Sequence, residues 1–249
     1  MIAILVAAAA LAGWVDAVTG GGGLILIPVL MATTSMPPAA VLATNKVASV
    51  SGTASAAVTL VRRVGVPRQT GVYALIAGAL SAVGALAASL IDASLLRPLI
   101  LVLLIAVGVF VALKPEFGTS QSAEDAPRLT PWRILVAAGL VAVIGFYDGS
   151  FGPGTGMFLI MGFTALFAQN FLKSAAMSKV INTATNLGAL LVFIAGGFVD
   201  WPLALALAVA NIIGAQIGAR TVLGGGAKLV RYALLTLVVV LSVYLAFQL

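Results

Sequence analysis

The chain has 249 residues, 62% hydrophobic and 8% charged, with 13 lysines and arginines against 7 acids and a formal net charge of +6. A soluble domain carries about 25% charged residues, so this composition excludes a wetted globular surface and points to an integral membrane protein. Neither cysteine nor histidine occurs, which excludes disulfides, thiol chemistry, histidine-ligated metals and a histidine proton relay.

In chain order, a short apolar helix is predicted over about 2–16, followed by a break at 19–23 and a second short helix over about 24–34. No basic residue precedes the first apolar run, and its pattern recurs at Val136–Gly145, so it reads as a retained segment rather than a cleaved signal peptide. Three longer helices follow, over about 38–62, 70–91 and 94–113. The most polar stretch, from Lys114 to Arg133, includes Glu116, Glu124 and Asp125 and marks a linker at 115–130 between an N-terminal repeat, 1–114, and a C-terminal repeat, 131–249. The same order then returns: a helix over about 132–148, a break at 152–156, and helices over about 157–168, 171–195, 201–222 and 228–248. Runs such as Leu234 to Leu245 do not alternate apolar with polar residues, which argues for helices and against a membrane β-barrel.

The second half restates the first. Gly13-Trp14-Val15-Asp16, with Gly20-Gly21-Gly22-Gly23 behind it, returns as Gly145-Phe146-Tyr147-Asp148 with Gly152-Pro153-Gly154. Thr44-Asn45-Lys46 returns as Met177-Ser178-Lys179. The separation is 132 residues between the acids and 133 between the lysines. Duplicated helix breaks in an apolar chain are the sequence mark of a transporter built from two repeats.

Loop charge relates the halves. Arg62, Arg63 and Arg68 follow the first long helix, where the second half has only Asp200; the next loop holds Asp92 in the first half but Arg220, Lys228 and Arg231 in the second. Cytoplasmic loops gather basic residues, so equivalent loops lie on opposite faces and the repeats are inverted. Inversion requires an odd number of crossings per half. Three long helices plus a hairpin satisfy it, whether the hairpin is re-entrant or crosses out and back. A ten-residue helix covers about 15 Å, half of a ~30 Å hydrocarbon core, which favours the re-entrant form. The expected fold is an all-α polytopic membrane protein with two inverted repeats, each a re-entrant or broken helical hairpin plus three transmembrane helices. Both termini are expected outside and the linker in the cytoplasm.

The glycine breaks open short helices whose first N–H groups lack intrahelical partners and carry the positive end of the dipole. That makes them candidate anion sites, with Thr19, Gly20, Gly21 and Gly22 in one and Gly152, Gly154 and Thr155 in the other. A close helix crossing through small residues is the plainer alternative. Lys46 and Lys179 stand about two turns into apolar helices, beside Asn45, Ser49 and Thr53 in one and Ser178, Asn182 and Asn186 in the other. A lysine at that depth either faces a cavity or partner or snorkels to the interface. Three roles compete for Asp16 and Asp148: pairing with the lysines, carrying a coupled proton, or capping the glycine turn. A carboxyl removed from water is easier to protonate, and a protonated acid would not repel an anion.

These paired segments resemble the TauE/SafE family of membrane transporters, also called the sulfite exporter family. The resemblance spans both halves and implies export of sulfite or a related organosulfonate across the bacterial inner membrane, with a small anion and the lipid bilayer as partners. No cofactor, metal or nucleic acid is implied, no catalytic residue is assigned, and a homodimer is left open. In the second copy Pro153 interrupts the glycine run and Met177 stands where the first has Thr44, so the two half-sites are not expected to be equivalent. A secondary carrier working by alternating access is the leading reading. An anion channel, a non-transporting scaffold and an intramembrane aspartyl protease are the rivals. The protease reading is weakened by the missing Gly-x-Gly-Asp pattern and by the lysine that accompanies each acid.

Overall fold

The computed structural model describes residues 1–112 and 130–224. The helix expected over 228–248, nearly all of the linker and the basic residues Lys228 and Arg231 lie outside the described residues. The described residues form α1 (Ile2–Thr19), α2 (Gly23–Thr33), α3 (Pro38–Val64), α4 (Gln69–Ser89) and α5 (Ala93–Ala112), then α6 (Pro131–Ser150), α7 (Thr155–Phe167), α8 (Phe171–Ala195) and α9 (Trp201–Leu223). No strand occurs among them. Five of these helices, α1, α4, α6, α8 and α9, are long and apolar enough to cross a bilayer.

Local chemistry explains the boundaries. Prolines stand in the first turns of α3, α6 and α9, where a missing N–H costs nothing. Asn170 accepts from the Lys173 N–H at 2.9 Å and Asp200 from the Leu203 N–H at 3.2 Å, capping α8 and α9. Each hairpin has unequal arms. The 18 residues of α1 cover about 27 Å and the 11 of α2 about 16 Å. The long arms run on past the acids, to Thr19 and Ser150 rather than to 16 and 148, so Asp16 and Asp148 lie within the final helical turns.

Packing exchanges partners between the halves. α1 packs along α9 as α6 packs along α4; α3 lies on α9 as α8 lies on α4; and α3 and α8 pack on each other. Small residues permit these crossings. A Cβ on Gly214 would stand 3.0 Å from the Trp14 nitrogen, and one on Gly84 would stand 2.9 Å from the Ser150 nitrogen. Polar side chains reinforce the seams. Asn211 Nδ2 donates to the Ala9 carbonyl at 3.0 Å, and the Ser81 hydroxyl to the Thr185 carbonyl at 2.7 Å. The outward faces are apolar, with Leu75, Val143 and Val209 exposed, as lipid contact requires.

Gln216 of α9 bonds Ser55 Oγ and the Ser55 carbonyl and meets the Thr59 hydroxyl at 3.1 Å. This brings the C-terminal ends of α3 and α9 together, and with them the exposed Arg62, Arg63 and Arg220.

Candidate functional site

The first hairpin turns at Gly20, left-handed at φ 85°, whose N–H bonds the Asp16 carbonyl at 2.7 Å. The second turns through Gly152 and Gly154, at φ 90° and 80°. Only glycine adopts such angles without strain. The second tip carries extra ties. The Tyr147 hydroxyl donates to the Pro153 carbonyl at 2.8 Å, and the Thr155 hydroxyl to the Gly152 carbonyl at 2.9 Å. Val15 occupies the place of Tyr147 in the first copy, so the two tips differ in structure as in sequence.

The tips touch. A Cβ on Gly156 would stand 2.6 Å from Gly20 Cα, and one on Gly23 would stand 3.5 Å from Pro153 Cα. The small-residue reading of the glycine run therefore holds at this point, and close backbone approach brings the two breaks to one place.

Around this contact four charges pair crosswise. Lys46 on α3 meets Asp148 on α6 at 2.7 Å, with both side chains 2% exposed. Lys179 on α8 meets Asp16 Oδ2 on α1 at 2.8 Å and also donates to the Asp16 carbonyl. Each lysine thus takes its acid from the other half. Both are buried, Lys46 at 1% and Lys179 at 0% exposure, which overturns snorkelling to the interface. Snorkelling fails because α3 and α8 pack on each other at the centre of the bundle and leave the lysine stems no route outward. Asp16 also reaches across the turn, where its Oδ1 accepts from the Gly22 N–H in a long bond of 3.4 Å.

A small polar cavity, about 260 Å³ of empty space, opens between the pairs. Its free interior has room for about one water molecule. Gly20, Gly152, Asp16, Asp148 and Lys46 line it, with Asn45 and Ser49 from α3 and Asn182 and Asn186 from α8. Asn45 Oδ1 is buried without a hydrogen-bond partner. Asn186 Nδ2 donates to the Asn182 carbonyl at 2.7 Å, which fixes the α8 amides along one face.

Other expected residues stand behind this lining. Thr19 bonds the Val15 carbonyl, Thr53 the Ser49 carbonyl and Ser178 the Gly156 carbonyl. Gly21, Gly22, Gly154, Thr155 and Lys179 do not line the cavity either, although Lys179 holds Asp16, which does. Gly23 lines the cavity without being among the residues expected there. It closes the same glycine run, so the sequence does carry the signal for it.

A helical bundle with an apolar exterior, two touching hairpin tips and four paired charges at its centre, three of them buried and Asp16 half-buried, defines a polytopic membrane protein with an internal polar site. Residues 5–245 match the family model described as sulfite exporter TauE/SafE. The chain is 37% identical to the probable membrane transporter protein ORF9 of Sinorhizobium sp, over 100% of this chain and 92% of that one. It is 36% identical to the probable membrane transporter protein YfcA of Escherichia coli K12, over 100% of this chain and 90% of the relative. A probable membrane transporter protein of Haemophilus influenzae is 35% identical, over 93% of this chain and 89% of its own. No solved structure matches significantly. The chain belongs to the TauE/SafE family and is a multi-pass membrane transporter.

Proposed function

We propose that this transporter is a secondary carrier that exports a small oxyanion, sulfite or an organosulfonate, from the cytoplasm by alternating access between two inverted halves. The carrying observation is the cavity where Lys46, Asn45, Ser49, Asn182 and Asn186 converge beside both glycine tips. It offers an ammonium and amide and hydroxyl donors, the groups that hold an oxyanion. The family's description supports the sulfur oxyanion. The exchange of helix partners between residues 1–112 and 130–224 supports two structurally related halves. The gathering of Arg62, Arg63 and Arg220 at one end supports inversion, with that end and the linker in the cytoplasm and the termini in the periplasm of an inner-membrane protein. In this reading the one-water cavity is an occluded state, and rocking of one half against the other widens it.

The test is flux of labelled sulfite and sulfoacetate in proteoliposomes. Wild-type protein gives saturable flux, and the charge-free pair Lys46→Met/Asp148→Leu loses it while staying folded. Flux equal to empty vesicles for both anions, or undiminished flux in that variant and in Lys179→Met/Asp16→Leu, would overturn the proposal.

A further inference from the structure

The site is electrically balanced as it stands. Two lysines pair with two carboxylates, at 2.7 and 2.8 Å, beside a cavity that has space for about one water and is lined by both carboxylates and Lys46. An anion entering such a place meets no surplus positive charge. Both ammonium groups already have their carboxylates, and an added buried charge without a partner is costly. Among the described residues, the other titratable groups on the surrounding helices do not supply the balance. Tyr147, beside Asp148 on α6, ties its hydroxyl to Pro153, and Arg133 at the start of that helix donates to the Leu166 carbonyl. Neither α2 nor α7 has an ionisable side chain. α3 adds only Arg62 and Arg63, exposed in its last turn, and α8 only Lys173, in its first. α4 has only Tyr73, whose hydroxyl points to the Ile134 carbonyl. α9 has only Arg220, exposed at its end. α5 has Arg97, which lines a separate cavity with Met31 and Ser35.

We infer that this carrier takes up protons with its anion, one for each negative charge, on Asp148 and Asp16. The inference rests on the anion-site reading above and adds the coupling ion and its stoichiometry. A proton on Asp148 neutralises the carboxylate and frees the Lys46 ammonium for the anion; Asp16 does the same for Lys179. Charge is conserved at every stage: for each proton taken up, one lysine–carboxylate pair becomes an ammonium–anion contact plus a neutral acid, and any pair not used stays as it was. The proton comes from the side the anion enters and leaves with it on the other. The crossed arrangement gives the exchange a mechanical meaning, because each pair fastens one half to the other. Protonation therefore loosens the halves only when an anion is present to replace the lost carboxylate. The asymmetry of the tips implies an order. Asp16 retains the Gly22 N–H bond and is 14% exposed, whereas Asp148 is 2% exposed; both acids line the cavity, but of their two lysines only Lys46 does. A monoanion uses Asp148 first.

Binding to the purified full-length protein is measured by titration calorimetry in buffers of different ionisation enthalpy, which counts protons taken up. Methanesulfonate, a permanent monoanion, is expected to bring one proton, and sulfoacetate, a dianion near neutral pH, two. Sulfite titrates in the same range and is unsuitable for counting. Methanesulfonate affinity is expected to fall tenfold for each unit rise in pH, and the proton count to drop to zero in Asp148→Asn. The wild-type count decides even if that variant does not fold. Binding of either anion without proton uptake would overturn this inference and leave the anion site standing. Failure of methanesulfonate, sulfoacetate and sulfite alike to bind or be transported would overturn both.

Discussion

Gly20 and Gly65, both at positive φ, make a useful comparison for testing whether the hairpin tips touch. Gly20 is left-handed helical at φ 85° and ψ 18° whereas Gly65 is extended at φ 71° and ψ 158°, so alanine strains the backbone by about 1–2 kcal/mol at Gly20 and about 1–3 kcal/mol at Gly65. Their surroundings differ. A Cβ on Gly65, between α3 and α4, meets nothing within 4 Å, whereas one on Gly20 would stand 2.5 Å from Gly156 Cα at the start of α7. Carbon atoms rest at about 3.5–4.0 Å, so the two tips must part by about 1 Å to admit the methyl group. The obstructing atoms are backbone and cannot swing aside. Overpacking of that kind costs about 1–3 kcal/mol. Gly65→Ala should therefore lose about 1–3 kcal/mol and Gly20→Ala about 2–5 kcal/mol, read by denaturant or thermal unfolding in detergent. Parting the tips also pulls Asp16 from Lys179, so sulfite flux should fall in Gly20→Ala by more than the loss of folded protein explains. Equal stability and equal flux in the two variants would refute the contact and the site built on it.

The crossed charges predict which substitutions rescue which. Lys46→Met leaves Asp148 buried and unpaired, a loss of about 3–5 kcal/mol. Adding Asp148→Leu should recover most of it, whereas adding Asp16→Leu, the acid of the same half, should make matters worse; thermal unfolding distinguishes the two. Lys179→Met should be rescued by Asp16→Leu and by no change at Asp148. On α6, a Cβ at Gly149 would stand 2.8 Å from Ser81 Cα, while one at Gly139 meets nothing within 4 Å. Gly149→Ala should thus cost about 1–3 kcal/mol by forcing α4 from α6, and Gly139→Ala should be neutral or gain up to about 1 kcal/mol from helix propensity.

Helix order, the two breaks and the importance of the lysines are legible in the sequence because each leaves a local mark. Apolar length gives the spans, glycine runs give the turns, and a charge among apolar residues is conspicuous wherever it points. What stays hidden is nonlocal. Asp16 precedes Lys46 by 30 residues, and nothing in the sequence says that it binds Lys179 instead. Crossing of the pairs follows from α1 packing on α9 and α6 on α4, a choice made by glycines such as Gly214 and Gly84 that read in the sequence as ordinary small residues. The long arms also exceed the length that the acids suggest. Val18 and Thr19 continue α1 beyond Asp16 because the Thr19 hydroxyl folds back on the Val15 carbonyl at 3.0 Å and only Gly20 leaves the helical region.

Exchange of partners has a mechanical consequence that a same-half pairing would lack. Were Lys46 joined to Asp16, each half could bind and release ligand on its own, and the two tips would have no reason to act together. Because each ion pair spans the division, replacing one carboxylate by a ligand alters the fastening between halves at the same moment. Occupancy and relative movement are then one event rather than two. The Gly20–Gly156 contact tightens the link, since the two backbones approach so closely that a Cβ on either glycine would overlap the other tip. A transporter needs this property in order not to leak. Under the proposed cycle the loaded form and the empty form with both pairs restored each move as a whole, while the half-loaded form, protonated but without an anion, must not rock.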